Sequence, residues 1–204
     1  MKITPGNLEK RELHELFMSA ILPRPIVFVS TIGDDGVFNA APFSCVAPIG
    51  LKPALVCFNI GRKRNGQKKD TLKNIESCKE FVINVVDEAL AEPMNQAAAE
   101  YPPEVDEFKE AGLTPVKSQL IKPPMIAESP VKMECRLKQI LEFGDDPAGS
   151  HVIIGEVLLV HVKDELWTGI DIDVSRLKPI GRLGAQFYCR TTDVFEMKRP
   201  ETRD

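Results

Sequence analysis

The chain has 204 residues, of which 43% are hydrophobic, so it can bury a core without disulfides or metal ions. Its formal net charge of −4 argues against a general nucleic-acid-binding surface. No stretch approaches the roughly 18 apolar residues of a membrane helix, and the N-terminus has no apolar core of signal-peptide length. These features predict a single cytoplasmic domain over residues 1–204 that makes no contact with membranes.

Cysteine and histidine patterns give no sign of a metal site. The five cysteines are odd in number and form no C-x-x-C pair, and none lies at zinc-ligand spacing from a histidine. Cys45, Cys57 and Cys135 lie in apolar or alternating stretches. We therefore expect reduced, buried thiols and no metal.

Strand-like segments dominate the chain. They are short, apolar and rich in β-branched residues, and they cover 25–32, 37–41, 43–49, 54–60, 80–86, 131–137 and 151–162, with a last extended piece over 187–195. The Asp-Asp-Gly sequence at 34–36 predicts a turn between the first two strands. Gly155, inside the long strand 151–162, predicts a bulge or bend.

Helical signals are fewer and shorter. Asp70 or Thr71 can cap a helix to about Ser77. Residues 87–100 have a helical pattern that Pro93 should interrupt, and residues 104–111 form a short helix that ends before a glycine. The segment 112–130 reads as extended loop, and the first twenty residues are ambiguous. Short strands joined by turns favour a mainly β antiparallel barrel with a few short helices.

The basic segment 61–71 (GRKRNGQKKDT) is a candidate phosphate site. Its five cations are Arg62, Lys63, Arg64, Lys68 and Lys69. Two glycines let the backbone turn its amides toward a ligand, and a helix N-terminus follows. The alternative is a solvated basic loop. A P-loop is excluded by register, because Gln67 and Lys68 occupy the positions that require Lys and Ser or Thr.

Polar groups at the ends of the first two strands form a second candidate site. Ser30 and Thr31 end one strand, and the run Asn39–Cys45 follows the turn. Such a strand edge can offer backbone and side-chain hydrogen bonds to a flat heteroaromatic ligand. The alternative is an ordinary hairpin with polar ends.

Two further motifs lie near the C-terminal half. His151 begins a strand, where it is either a proton-transfer group beside a cofactor or a satisfied strand-end histidine. Residues 179–188 (PIGRLGAQFY) are either a lid or subunit contact, or a structural turn.

Together these motifs resemble the flavin reductase-like, FMN-binding split β-barrel family, which includes flavoredoxins. The resemblance covers roughly residues 15–190. It rests on the order and spacing of six segments, namely RPIVFVST at 24–31, NAAPFS at 39–44, the R-x6-KDT pattern at 62–71, residues 74–85, GSHVIIGEV at 149–157 and PIGRLGAQFY at 179–188. It implies a Greek-key split β-barrel and a homodimer with FMN near the subunit interface.

The resemblance also implies roles for individual residues. Fourteen positions would bind FMN: Ser30, Thr31, Asn39, Ala41, Pro42, Phe43, Ser44 and Cys45 at the ring and ribityl chain, Arg62, Lys69, Asp70 and Thr71 at the phosphate, and Gly184 and Tyr188 closing over the site. His151 would bind nicotinamide or transfer a proton as the catalytic residue. The chain departs from the family pattern at Ser150 and Ala185, where relatives often carry an acid and a glycine.

The implied activity is an NAD(P)H-dependent flavin reductase, in which hydride from NADH or NADPH reduces FMN and the electrons leave to a flavin or protein acceptor. Two alternatives remain open at this point. One is a flavoredoxin-type electron carrier that keeps its FMN. The other is a flavin-binding module without turnover.

Overall fold

A computed structural model describes residues 1–144 and 149–200. Within these ranges the strands are β1 Arg24–Pro25, β2 Val27–Ile32, β3 Phe38–Phe43, β4 Val46–Leu51, β5 Ala54–Gly61, β6 Glu80–Val85, β7 Pro115–Val116, β8 Met125–Ile126, β9 Val131–Phe143, β10 Ser150–Val162, β11 Ile180–Arg182 and β12 Tyr188–Arg190. The α-helices are α1 Lys10–Ala20, α2 Asp70–Cys78, α3 Ala91–Gln96, α4 Glu107–Glu110 and α5 Val174–Leu177.

Seven strands form one antiparallel sheet in the order β3-β2-β6-β9-β10-β5-β4. The chain passes directly from β3 at one end of the sheet to β4 at the other, and the Asn59 N–H on β5 donates to the Cys45 carbonyl in that connection at 3.0 Å. A smaller sheet has the order β1-β11-β12, in which β11 pairs with both neighbours. The mainly β, antiparallel barrel predicted from the sequence is therefore confirmed.

A bulge in β10 follows from the contact between Gly155 and Phe81. The register against β9 shifts between Ile154 and Gly155, as the isolated glycine predicted. A Cβ atom at Gly155 would lie only 2.4 Å from Cζ of Phe81. The missing side chain lets the two strands bend around a buried aromatic ring.

Several boundaries differ from the sequence prediction for identifiable reasons. The first residues, left ambiguous by their sequence, form α1, which opens with a capping box between Glu9 and Glu12. Pro93 falls in the first turn of α3, where N–H groups have no intrahelical partner, so it interrupts nothing. β9 continues six residues beyond 137, because it pairs with β10 along its length. The predicted last piece 187–195 shrinks to β12, since only those residues find a partner strand.

Two buried clusters fill the fold. One, inside the barrel, is built around Phe58, Phe81 and Ile153. The other packs β2 against α3 and α4 through Phe28, Met94 and Phe108 and others. This second cluster fixes α3 and α4 beside β3, and so places them next to the candidate site.

The cysteine prediction is correct in part. Cys135 is buried as expected, and burial raises the pKa of its thiol to about 12. Cys45 is exposed and Cys57 is half-buried. Cys45 lies in the connection that leaves β3 for β4, where its side chain has no core to face. No helix in the described ranges is long and apolar enough to cross a membrane.

Candidate functional site

The basic segment forms a tight loop that leads from β5 into α2. The Gly66 N–H donates to the Lys63 carbonyl and the Lys63 N–H donates to the Gln67 carbonyl, both at 2.8 Å. Gly66 has φ of 81°, a left-handed conformation that favours glycine. Lys69 is the N-cap of α2, so the first N–H groups of that helix have no intrahelical acceptor and lie beside the loop.

A small cavity, here called the Thr71 cavity, joins this helix start to β3. Its volume is about 110 Å³. Six of the residues predicted to bind the cofactor line it: Asn39, Ala41, Pro42, Lys69, Asp70 and Thr71. The structure therefore brings three of the four predicted phosphate residues, Lys69, Asp70 and Thr71, together with part of the predicted ring-binding run.

A larger cavity, here called the Phe43 cavity, adjoins the first. It has a volume of about 360 Å³ and is lined by Pro42, Phe43, Ser44 and Tyr188, among others. Pro42 and Ala98 line both cavities. The two spaces thus form one path along the end of β3, polar at the Thr71 end and partly aromatic at the other.

The cations of the loop are not equivalent. Asp70 binds both Lys63, at 2.6 Å, and Lys73, at 2.9 Å. Burial alone would raise the pKa of Asp70, but these two lysines lower it overall. Lys68 pairs with Glu76 at 2.6 Å. Lys69 has no carboxylate partner among the described residues, and its Nζ lies 6.0 Å from the centre of the Phe43 ring.

Asn39 is the centre of a buried hydrogen-bond network. Its Oδ1 accepts from the hydroxyls of Thr71, at 2.9 Å, and Thr31, at 3.1 Å. Its Nδ2 donates to Oε2 of Glu107, which also accepts from the Ala40 N–H at 2.6 Å. Asn39 therefore links the helix start, two strands and α4 at one point.

Glu107 was missed by the sequence reasoning, although it lines the Thr71 cavity. Burial raises the pKa of its carboxyl to about 7, against the opposing effect of the Ala40 N–H. In the sequence it was one acidic residue of a short helix, 68 positions from Asn39. Only the packing of α4 on β3 brings the two residues together.

Arg62 and His151 lie in a separate cluster around Glu142. Glu142 Oε1 accepts from an Arg62 guanidinium nitrogen at 2.8 Å and lies 3.2 Å from Nε2 of His151. His151 is 1% exposed. Nδ1 of His151 and Nε of Arg62 are buried and find no hydrogen-bond partner within residues 1–144 and 149–200. Neither residue lines the Thr71 or Phe43 cavity.

Four other predicted residues have different positions. Ser30 is buried away from both cavities, where its hydroxyl donates to the Pro124 carbonyl at 2.6 Å. Thr31 belongs to the Asn39 network, and Cys45 is exposed beyond the end of β3. Gly184 lies in the turn between β11 and β12, close to Ser19 of α1.

Arg24 shapes the Phe43 cavity and was also missed. It is 7% exposed and donates to the carbonyls of Met18, Ile21 and Leu183. Its Nε lies 3.4 Å from Oγ of Ser44. A single guanidinium thus ties α1, the β11–β12 turn and the end of β3 into one wall.

A third cavity of about 600 Å³ adjoins the Phe43 cavity. Met94, Arg182 and Tyr188 line both. The Arg182 guanidinium carbon lies 4.4 Å from the centre of the Tyr188 ring and its Nη1 donates to the Tyr188 hydroxyl. The C-terminal motif therefore separates the two cavities.

The chain is similar in sequence and fold to known proteins. The flavin reductase like domain matches residues 18–170. An uncharacterised protein of Halalkalibacterium halodurans is 38% identical over 98% of this chain and 97% of its own length.

Two solved structures are similar over nearly the whole chain. Nitrilotriacetate monooxygenase component B from Bacillus cereus has a TM-score of 0.92 and 34% identity, covering 97% of this chain and 98% of that one. The 2-nitrobenzoate 2-nitroreductase of Pseudomonas fluorescens has a TM-score of 0.89 and 31% identity, covering 98% and 96%. Flavoredoxin of Desulfovibrio vulgaris, at 18% identity with a TM-score of 0.74 over 87% of this chain and 91% of that one, shares the fold. The chain has the split-barrel fold and belongs to the flavin reductase-like family.

Proposed function

We propose that this protein is an FMN-binding flavoprotein oxidoreductase that acts as an NAD(P)H-dependent flavin reductase. The observation that carries the proposal is the pair of adjoining cavities at the end of β3. Hydrogen-bond donors lie at one end, with a lysine that has no carboxylate partner in the described part of the chain, and aromatic side chains lie at the other end. A flavin mononucleotide has the same order of parts, with a phosphate at one end and a flat ring at the other.

The Thr71 cavity fits a phosphate by the chemistry of its donors. Lys69 supplies a positive charge that no carboxylate among the described residues neutralises, and the first turn of α2 supplies free backbone N–H groups. A phosphate bound there would gain charge-assisted hydrogen bonds from both. Thr71 and Asp70 complete the set through their backbone N–H groups, since the Thr71 hydroxyl donates to Asn39.

The Phe43 cavity would hold the ring. Pro42, Phe43 and Ser44 offer an apolar surface and a hydroxyl on one side, and Tyr188 offers an aromatic surface on the other. When bound, FMN would supply the hydride-accepting chemistry. The residues of this chain orient the ring and exclude water from it, and Arg24 keeps their wall in place.

The third cavity is a suitable place for the nicotinamide donor. Its volume of about 600 Å³ is within the range of small-molecule sites. It meets the Phe43 cavity at Tyr188 and Arg182, so a ligand in it would approach the ring site from the side. Arg182 lines this cavity and could contact the phosphates of NADH or NADPH, whereas Arg190, which also lines it, is paired with Glu88.

A homodimer is part of the proposal. Leu51, on the terminal strand β4, is 90% exposed, and Ile49, Phe143 and Phe187 are also exposed apolar side chains. We expect contact with a second copy of the chain to cover some of these side chains. Light scattering of the purified protein should give twice the chain mass. A cytoplasmic location stays a prediction from the sequence.

Purified protein should be yellow or become yellow with FMN, and heat denaturation should release FMN identifiable by chromatography. Rapid mixing of the loaded protein with NADH or NADPH should bleach the flavin absorbance near 450 nm. Bleaching by a reduced ferredoxin-type donor but by neither nicotinamide would favour an electron carrier instead. Tight FMN binding without reduction by any donor would point to a non-catalytic flavin-binding module.

A further inference from the structure

The direction of the hydrogen bond between Glu107 and Asn39 depends on whether the Glu107 carboxyl carries a proton. Oε2 of Glu107 accepts from the Ala40 N–H in a backbone contact that is fixed by β3 and α4. The same oxygen faces Nδ2 of Asn39. The Ala40 N–H always donates to this oxygen, so the oxygen always acts as an acceptor there. The same oxygen can also donate to Asn39, but only when it carries a proton.

The direction of the Asn39 amide in turn fixes the Thr71 hydroxyl. When Oδ1 of Asn39 points toward Thr71 and Thr31, both threonine hydroxyls donate their hydrogens to it. Thr71 then has lone pairs but no hydrogen to offer in the Thr71 cavity. A phosphate dianion presents only acceptors, so in this arrangement it gains nothing from the Thr71 hydroxyl.

We propose that Glu107 is a positioning residue that, through Asn39, sets whether the Thr71 hydroxyl donates to the phosphate of the flavin. This inference rests on the proposed function. When Oε2 of Glu107 takes up a proton from solvent, its O–H group donates a hydrogen bond to Oδ1 of Asn39. The side-chain amide of Asn39 turns over to accept it. Nδ2 of Asn39 then donates to both threonine hydroxyls, and the Thr71 hydrogen is released toward the ligand.

The surrounding groups permit this exchange. Thr31 also accepts from Nδ2 of Asn74 at 3.0 Å. Asn74 is half-buried and lines another open cavity, so its amide can turn and accept the hydrogen that Thr31 releases. The exchange forms one O–H bond, on Oε2 of Glu107, with a proton taken from solvent, and it reverses two amides.

Glu107 titrates among several charges. The charged groups that influence it or share its cavities are Lys63, Lys69, Asp70, Lys73, Glu100 and Asp106, and the exposed β2–β3 turn adds Asp34 and Asp35. Burial raises the pKa of Glu107 to about 7, whereas the lysines beside Asp70 lower the pKa of that group. Proton uptake by Glu107 therefore falls in the neutral range, where it can be measured.

The first test needs no variant. FMN binding to the wild-type protein, measured by calorimetry in buffers of different ionisation enthalpy, should take up a fraction of a proton at pH 8, about 0.2–0.4 for a threefold to tenfold coupling. Riboflavin, which has no phosphate, should take up none at that pH. The phosphate itself is already a dianion above pH 7, so it does not contribute at pH 8. FMN binding without proton uptake at pH 8 would overturn the inference.

The second test is Glu107→Gln, with Glu110→Gln on the same helix as an exposed control. Gln cannot accept from Ala40 and donate to Asn39 through one atom, so it holds the amide in the direction that uses the Thr71 hydrogen. FMN affinity should fall about twofold to fivefold between pH 7 and pH 9 in the wild type and the control, and stay flat in Glu107→Gln. At pH 6.5 the variant should bind FMN roughly threefold to tenfold more weakly than wild type.

Three outcomes separate the possible failures. If Glu107→Gln binds FMN at every pH as tightly as the wild type does at pH 6.5, then Glu107 acts only by charge repulsion. That result would contradict the role of Thr71. The same profile in wild type and Glu107→Gln would refute the inference while leaving FMN binding intact. No FMN binding by the wild type at any pH would refute the proposed function itself.

Discussion

Two glutamates each collect hydrogen-bond donors near the basic segment, and they differ in burial. Glu107 lies beneath β3, and its Oε2 accepts from the Ala40 N–H and Asn39. Glu142, at the end of β9, has a side chain that is 53% exposed, and it binds Arg62 and His151. The half-buried glutamate, Glu107, lines the Thr71 cavity, while the exposed one holds two predicted site residues away from it.

The comparison shows that closeness in sequence does not decide which cations face a ligand. Arg62 and Lys69 belong to one loop and were predicted to share a phosphate. In the structure Arg62 pairs with a carboxylate, and Lys69 has none among the described residues. A cation already paired with a carboxylate must give up that partner to bind a phosphate, whereas an unpaired one need not. Lys69 is therefore better placed to bind the ligand.

The largest expected effect concerns the pH dependence of folding. The pKa of Glu107 is raised from 4.5 to about 7 in the folded protein. Between these two values the folded state therefore keeps a proton that the unfolded state has lost. The stabilisation that this proton gives is fully present below pH 4.5 and disappears as the pH rises through 7. This loss is on the order of 3 kcal/mol.

Urea unfolding at pH 5 and pH 8 measures this loss. Glu107→Gln should remove most of that difference, because the amide does not titrate. Glu142→Gln serves as the matched control, since its carboxylate is more than half exposed, and it should leave the difference unchanged. An equal pH dependence in wild type and Glu107→Gln would mean that Glu107 is ionised throughout this range.

Much of the barrel could be predicted from the sequence, because strands β2, β5, β6 and β10 carry local patterns of apolar and β-branched residues. The residues 39–44 and 69–71 were also recognisable, since each set is a continuous run. Glu107 and Arg24 were not, because their roles come from contacts made only after folding. The partner of Arg62 was equally hidden, as Glu142 lies 80 positions away on β9.

The next effect compares the two cations directly. Lys69→Met should weaken FMN binding by about 1.5–3 kcal/mol, the usual cost of losing a charge-assisted hydrogen bond to phosphate. Riboflavin binding should not change, because that ligand has no phosphate. Arg62→Met should change FMN affinity much less, and Arg64→Met, at an exposed position, provides a control for net charge. These affinities can be measured by the quenching of flavin fluorescence.

An equal loss of affinity in Lys69→Met and Arg62→Met would reverse this conclusion. It would mean that Arg62 leaves Glu142 when the ligand binds, as the resemblance to the family predicts for a phosphate residue. Unfolding measurements on both variants are needed, because a destabilised protein would also bind less FMN.

The smallest expected effect tests whether the Glu142 cluster takes part in the reaction. Glu142→Gln should lower stability by less than about 1 kcal/mol, as is usual for an exposed ion pair. Its rate of flavin reduction by NADH should equal that of the wild type, because His151 is buried and lines neither cavity next to β3. A clear fall in that rate, with FMN affinity unchanged, would show that Glu142 orients His151 for proton transfer. His151 would then have the catalytic role that its position at the start of β10 predicted, and the ligand would reach further along the strand than the two cavities do.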